Sequence, residues 1–264
     1  MTIEQWAHGQ LGKDIWEKKY EYEKEGFENW LKRISAGDKD LELLIRQKKF
    51  LFGGRILANR GLQEYGKKIT YSNCFVIEPP KDNLESIYIA AQKMARTYSY
   101  GGGVGLDLSK LRPRDAKTNN AANNSTGAVS FMELYDMTTG LISQQGRRGA
   151  LMLSIICTHP DLEEFIGIKQ QNDKITKANI SIRITDNFMR AVINDLDWVL
   201  TFTVESTGQV IEKTVKAKEI MMALAKGNHA YAEPGSLFWD SITNWNLLSE
   251  DEEFEYTGVN PCAR

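Results

Sequence analysis

From residue 74 onwards the chain alternates short apolar segments with helical segments, and this alternation limits the folds it can adopt. The segment 150–157 (ALMLSIIC) has the length and apolarity of a strand buried on both faces. Further strands are predicted at 178–184 and 197–204, and a helix at 218–231. Strands that alternate with helices favour an α/β architecture built on a central sheet.

The first 52 residues differ in character from the rest. Residues 1–52 are highly charged, with Trp16, Phe27 and Trp30 at roughly helical intervals among lysines and glutamates. This pattern predicts a helical segment with one packing face and no functional site. No repeat, linker or low-complexity tract divides the chain beyond residue 71, so 53–264 is predicted to form one second domain.

The composition is that of a globular protein without a strong electrostatic bias. The 264 residues are 42% hydrophobic and 26% charged, with a net charge of −2. This balance argues against a nucleic-acid scaffold or an anionic membrane surface as partner. No apolar run approaches the ~20 residues of a membrane span, and the first residues lack a signal-peptide core. We therefore expect a cytoplasmic protein.

The three cysteines, Cys74, Cys157 and Cys262, are too far apart in sequence for a CxxC metal site, and no metal centre is predicted. Each is either a small buried hydrophobe or a group with chemistry. Cys157 ends the apolar strand and is assigned to the core. His159, which precedes Pro160-Asp161, is predicted to be a helix-entry residue rather than a catalyst.

Two glycine-containing segments suggest contacts with backbone or ligand. The run GGGVG (101–105) follows a predicted helix and leads into a strand, which is the reverse of a dinucleotide-binding loop. It suits a close approach of another chain or ligand instead. The GRRG turn (146–149) places two arginines before the buried strand, where they either bind phosphate or form a solvated turn.

Eight short motifs then identify a family when they are taken together. In chain order they are SNCFV, the helix start at Asp82, YGGGVGLDLSKLRP, STGAVSFM, QQGRRGALM, HPDLEEFI, EPGSLFWD and GVNPCA. This succession resembles the catalytic subunit of ribonucleotide reductases, most closely the adenosylcobalamin-dependent branch. The resemblance implies that 53–264 is the first half of a ten-stranded α/β barrel, of the type shared with glycyl-radical enzymes, preceded by a helical segment.

The resemblance assigns reaction roles to three residues. Cys262 matches the cysteine that becomes a thiyl radical and removes the 3′ hydrogen of the ribonucleotide. Asn260 matches the asparagine that hydrogen-bonds the ribose hydroxyls. Cys74 matches one cysteine of the pair that supplies protons and electrons as the 2′-hydroxyl leaves as water. Asn73 and the 53–59 segment are expected to help line the substrate side.

The resemblance also implies a regulatory site for a deoxynucleoside triphosphate effector. Asp82 is expected to hold the effector sugar and Arg112 its phosphates, with Lys117 a weaker candidate. For Asp82 a helix N-cap is an equally good interpretation, and both roles are compatible. Residues 144–150 match the loop that reports the effector to the active site, with Arg148 its expected substrate contact. Gly102 and Gly103 are assigned to substrate binding.

The implied partners are a ribonucleoside di- or triphosphate, a thiol reductant, the C-terminal half of the enzyme and a second copy of the chain. The family continues NPC-x-Glu, whereas this sequence has Arg264 at the glutamate position. We therefore expect the chain to be inactive alone. Two alternatives stay open: a large subunit served by a separate radical-generating subunit instead of adenosylcobalamin, and a nucleotide-binding or assembly module without catalysis.

Overall fold

The computed structural model describes residues 2–142, 149–170 and 174–262. The chain divides into two compact units, Met1–Asn73 and Cys74–Arg264. The sequence placed the division at residue 52, about twenty residues earlier. The first unit extends further because the helix Gly54–Asn59 packs within it, where the indole N–H of Trp30 donates to the carbonyl of Leu57 at 3.0 Å.

The first unit is helical, as the sequence predicts for its first 52 residues. Its helices are α1 (Ile3–Trp6), α2 (Gln10–Lys19), α3 (Gly26–Ser35), α4 (Lys39–Arg46) and α5 (Gly54–Asn59), followed by a 3-10 turn (Leu62–Tyr65). The apolar faces of these helices enclose one small core, with Trp16, Phe27, Trp30, Leu31, Ile34 and Ile45 buried. The spacing of aromatic residues along the sequence therefore marks a packing face.

The second unit is built on a sheet of five parallel strands in the order β1-β2-β5-β6-β9. These strands are β1 (Cys74–Val76), β2 (Gly103–Asp107), β5 (Leu151–Ile156), β6 (Ala178–Ile184) and β9 (Gly235–Phe238). Two antiparallel hairpins lie outside it: β3 (Arg114–Lys117) with β4 (Asn124–Thr126), and β7 (Asp197–Val204) with β8 (Gln209–Lys216).

Helices make the connections that parallel strands require. They are α6 (Leu84–Ser99), α7 (Met132–Leu141), α8 (Leu162–Gly167), α9 (Asp186–Ile193), α10 (Ala217–Tyr231) and α11 (Trp239–Asn244), with a 3-10 turn at Ile168–Gln170. The predicted α/β class is confirmed, and so are the strands at 178–184 and 197–204. Five parallel strands are also the number expected for half of a ten-stranded barrel.

The core explains why the central strands are largely apolar. All of β2 and the first five residues of β5 are buried, which is typical of a parallel sheet covered on both faces. One face packs against helices through Met94, Tyr98, Tyr135, Phe165 and Phe188, and the other carries a small cluster of Met152, Leu237, Trp239 and Val259. Cys157 is fully buried, as predicted.

One predicted helix cap is wrong. The sequence offers Asp82 as a helix N-cap, but the N-cap of α6 is Asn83, whose side chain accepts a hydrogen bond from the backbone N–H of Ser86 at 2.8 Å. The Asp82 carboxylate is engaged with Arg112 instead. No helix in the described ranges is long and apolar enough to cross a membrane.

His159 is a structural residue, in line with its predicted role. Its ring is buried, Nδ1 accepts the backbone N–H of Asp161 at 3.0 Å, and Nε2 lies 2.8 Å from the carbonyl oxygen of Leu111. Both contacts are satisfied by a neutral ring that carries its proton on Nε2. Burial lowers the pKa of His159, although the nearby carboxylates of Asp161, Asp107 and Asp82 oppose the shift.

This burial predicts a loss of stability as the pH falls. Because the pKa of His159 is lower in the folded chain than in the unfolded chain, its contribution is complete above ~6.5 and declines below it, by at most about 1.4 kcal/mol per pH unit. Urea unfolding between pH 7.5 and 5.5 should show this slope. The His159→Gln variant should have a flatter profile, and an unchanged slope would contradict the assignment.

Candidate active site and nucleotide pocket

Two thiols meet at one end of the parallel sheet. Cys74 is the first residue of β1 and is half-buried, whereas Cys262 follows the loop 258–261 and is exposed. Their sulfur atoms lie 3.8 Å apart although 188 positions separate them in the sequence. The structure therefore brings together two of the three residues that the sequence assigned to the reaction.

The glycines of β2 determine where the second thiol lies. A methyl group on Gly105 would overlap the carbonyl oxygen of Val259, and a methyl group on Gly103 would lie 3.0 Å from Cγ of Pro261. A side chain on Gly105 is therefore incompatible with this position of the loop 258–261, and one on Gly103 would require Pro261 to shift slightly. The close approach predicted for the glycine run is thus an approach by the chain's own loop.

Asn260, the third predicted reaction residue, shapes the turn before Cys262. Its Oδ1 accepts the backbone N–H of Cys262 at 3.1 Å, and its side chain is half-buried. This bond constrains the backbone of Cys262 relative to the side-chain amide of Asn260.

A buried ionic group lies beside the same loop and was missed by the sequence analysis. Asp107, at the end of β2, is 2% exposed and accepts a hydrogen bond from Ser154 Oγ at 2.7 Å. Arg183 Nη1 lies 3.2 Å from its Oδ1, and the Arg183 guanidinium lies 3.7 Å from the centre of the Trp239 ring. The one feature of the sequence that could have indicated this buried pair is Asp107, a charged residue in an otherwise apolar strand.

Asp107 also lies next to the loop. A methyl group on Gly258 would lie 3.7 Å from Asp107 Cβ, so the two backbones are in near contact. Because Gly103, Gly105 and Asp107 alternate along β2, they face the same side of the sheet. The loop that carries Cys262 therefore packs on the two glycines of one strand, with the buried Asp107 of the same strand beside it.

Asp82 and Arg112, the two main effector-site candidates, bind each other. The carboxylate of Asp82 accepts the backbone N–H of Arg112 at 2.9 Å and its Nε–H at 2.8 Å. The guanidinium also donates from Nη1 to the carbonyl of Lys117 and from Nη2 to Ser206 Oγ. Each of its three nitrogens thus has a protein partner, and the pair is largely buried.

A cavity of about 460 Å³ opens beside this ion pair. Its walls combine apolar surface with hydroxyl and amide groups, many of them from residues 118–126. The lining residues are Asp82, Asn83, Leu84, Glu85, Ile87, Arg112, Thr118, Asn119, Asn120, Ala122, Asn124, Ser125, Thr126, Phe131 and Ser206. Ser206 lies in the turn of the β7–β8 hairpin and could not be predicted from sequence spacing.

The other predicted site residues lie elsewhere. Lys117 is exposed and does not line the cavity, although its carbonyl accepts from Arg112. Asn73 is exposed at the end of the first unit. Gly102 is buried against Phe75 and Thr97. Arg148 and residues 144–148 of its loop lie outside the described residues.

Metal chemistry has no candidate among the residues that the structure describes, since no three histidine, cysteine, aspartate or glutamate side chains are grouped closely enough to hold an ion. The fold and site thus define an α/β unit with a thiol pair at one end of the sheet and a cavity beside a largely buried ion pair.

Comparison with known proteins assigns the family. Residues 72–263 match the family model of the ribonucleotide reductase barrel domain, and the chain belongs to this family. The vitamin B12-dependent ribonucleoside-diphosphate reductase of Thermoplasma acidophilum is 37% identical over 73% of this chain and 24% of its own length. The Mycobacterium tuberculosis enzyme of the same name is 31% identical over 92% of this chain and 33% of its own length.

A relative of a different description also matches. The ribonucleoside-diphosphate reductase subunit alpha of a Synechocystis species is 35% identical over 76% of this chain and 25% of its own length. The chain therefore spans between about a quarter and a third of the relatives it matches. The family resemblance seen in the ordered motifs is confirmed.

The contact between β2 and the loop can be tested by substitution. Gly105→Ala places a methyl group on the carbonyl of Val259, so the loop must move, and overpacking of this kind costs typically 1–3 kcal/mol. Gly167→Ala is the matched control, because a methyl group there meets no atom within 4 Å. Gly105→Ala should lower the free energy of unfolding and change the alkylation rate of Cys262, whereas Gly167→Ala should do neither. Equal effects in the two variants would contradict this account of the glycines.

Proposed function

We propose that this chain contributes the radical cysteine and part of the substrate site to a ribonucleotide reductase. The observation that carries the proposal is the 3.8 Å separation of Cys74 and Cys262 in a chain of the barrel-domain family. As a thiyl radical, the Cys262 sulfur removes the 3′ hydrogen atom of the ribose, which leaves a carbon radical on the sugar. Sulfur suits this step because the S–H bond is close in strength to an activated ribose C–H bond.

The neighbouring residues take the remaining roles in this proposal. Cys74 supplies a proton and an electron as the 2′-hydroxyl leaves as water, together with a cysteine from another segment. Asn260 uses its amide to hydrogen-bond the ribose hydroxyls, while its carbonyl oxygen holds the backbone of Cys262. Gly102, Gly103, Asn73 and Arg148 remain proposed contacts on the substrate side. The substrate is a ribonucleoside di- or triphosphate, and an external dithiol restores the reduced thiols.

Adenosylcobalamin is the proposed radical source, because the Thermoplasma and Mycobacterium relatives are named vitamin B12-dependent. When bound, it supplies the radical that takes the hydrogen atom from sulfur. The exposure of Cys262 fits this role, since an external group can reach the thiol. A separate radical-generating subunit, suggested by the name of the Synechocystis relative, would use the same exposed sulfur. We place the enzyme in the cytoplasm.

We also propose that the cavity beside Asp82 and Arg112 binds a deoxynucleoside triphosphate effector. Its hydroxyl and amide lining matches the hydrogen-bonding groups of a nucleoside, and Arg112 supplies a cation. Because the guanidinium already has protein partners, phosphate must share or displace the contact with Ser206 or with Lys117. Effector binding is expected to favour pairing with a second copy. This binding function is the second candidate should the chain take no part in catalysis.

Catalysis should depend on the rest of the barrel. We expect no turnover from the 264 residues alone, and turnover when a segment carrying the remaining strands, the glutamate and the second cysteine is added with adenosylcobalamin and dithiol. Cys262→Ser should abolish this activity. Cys157→Ser should retain it, because Cys157 lies in the core cluster that packs against the helices. Deoxynucleotide formation measures the result. Turnover by the Cys262→Ser protein would contradict the assignment of Cys262 as the thiyl radical.

Effector binding should be measurable in the isolated chain. A deoxynucleoside triphosphate at a hundredfold excess over its Kd should stabilise the fold by about 2.7 kcal/mol. Arg112→Ala should lose most of this ligand-induced shift. Arg114→Ala is the control, since Arg114 lies two residues away, pairs with Glu164 and does not line the cavity. A shift that survives Arg112→Ala, or no shift at millimolar nucleotide, would place the effector elsewhere.

A further inference from the structure

We propose that Cys74 and Cys262 form a reversible disulfide that switches off the radical cysteine under oxidising conditions. Formation of the bond is a property of the two thiols in this chain. Its consequence for catalysis rests on the proposed function, in which Cys262 must carry a hydrogen atom on its sulfur. The bond differs from the pairing of Cys74 with a cysteine of another segment, which belongs to the reaction itself.

The two sulfur atoms need to move only a short distance to form the bond. A disulfide has a sulfur–sulfur bond of ~2.05 Å, so sulfurs that lie 3.8 Å apart must approach by a further ~1.8 Å. Rotation about the Cα–Cβ bonds moves sulfur atoms by this amount without moving the strand. Both thiols are also positioned by the same glycine. Cys74 pairs in register with Gly103, and Pro261, which precedes Cys262, packs on Gly103.

Access to the two sulfurs favours their oxidation over that of the third cysteine. Cys262 is exposed and Cys74 is half-buried, so a small oxidant can reach the pair. Cys157 is fully buried beside Thr185, and burial raises the pKa of its thiol. Since the thiolate is the reactive form, Cys157 is both shielded and less reactive.

The chemistry balances with a peroxide as the oxidant. The Cys262 thiolate attacks one peroxide oxygen, the oxygen–oxygen bond breaks, and water leaves after protonation while sulfur becomes a sulfenic acid. The Cys74 thiolate then attacks that sulfur, the sulfur–sulfur bond forms, and a second water leaves. Both thiols are oxidised by one electron each and the peroxide is reduced by two. A dithiol reverses the bond by exchange.

The oxidised state has a direct chemical consequence. Neither sulfur carries a hydrogen atom, so no thiyl radical can be generated by hydrogen removal from Cys262. The radical site is thereby protected against further oxidation to sulfinic or sulfonic acid, which cellular dithiols do not reverse. A nearby second thiol thus converts a damaging oxidation into a reversible one.

The test uses the 264-residue chain and hydrogen peroxide, followed by alkylation and peptide mapping without reductant. We expect a cross-linked peptide pair containing Cys74 and Cys262, loss of Cys262 alkylation, and recovery of both free peptides after dithiothreitol. Cys157→Ser should behave as the wild type. Cys74→Ser should give no cross-link and should progress at Cys262 to sulfinic acid. Because no turnover is measured, the result is independent of the proposed reaction.

The opposite outcomes are equally specific. The proposal is overturned if peroxide leaves Cys262 as a stable sulfenic or sulfinic acid in the wild type while Cys74 is still alkylated. It is also overturned if the cross-link joins two chains, which non-reducing electrophoresis would reveal. The wild-type measurements need no substitution, so a variant that folds poorly does not affect the decision.

Discussion

The arrangement of the site depends on one close contact, in which the backbone of strand β2 touches the loop that carries Cys262. A side chain on Gly105 would collide with the carbonyl of Val259, and one on Gly103 would press tightly on Pro261. The loop therefore lies directly on the sheet, at the end where β1 begins with Cys74. Two sulfurs separated by 188 positions meet because both elements are fixed against the same strand. A small change in that contact would move the thiol rather than the sheet.

The charged residues near the contact are arranged to tolerate burial. Asp107 is nearly inaccessible but accepts hydrogen bonds from Ser154 and the backbone N–H of Ser109, and it faces the Arg183 guanidinium. Burying a carboxylate without such partners would cost several kcal/mol. Stacking of Arg183 on Trp239 supports the cation from its other side. This group links three parallel strands beneath the loop, so the ionic network and the glycine contact reinforce each other.

The cavity beside Asp82 and Arg112 likewise adjoins an ion pair that has several hydrogen-bond partners. Arg112 holds Asp82, the carbonyl of Lys117 and the hydroxyl of Ser206 in one network, and so joins the start of α6 to both hairpins. An ion pair with all these bonds is structural even without a ligand. In the proposed effector site, a bound phosphate would compete for the same donors and so alter how the hairpins are held.

The sequence by itself determined the class of fold, the strands at 178–184 and 197–204, the burial of Cys157 and, through the order of its motifs, the family. These features depend on local apolar patterns and on residue order, which a sequence displays directly. Only the tertiary structure decided that Asn83 caps α6 while Asp82 pairs with Arg112, that the GGGVG run receives the chain's own loop, and that Asp107 and Arg183 form a buried pair. Those outcomes depend on contacts between residues far apart in sequence, whose distances are set by strand order and register.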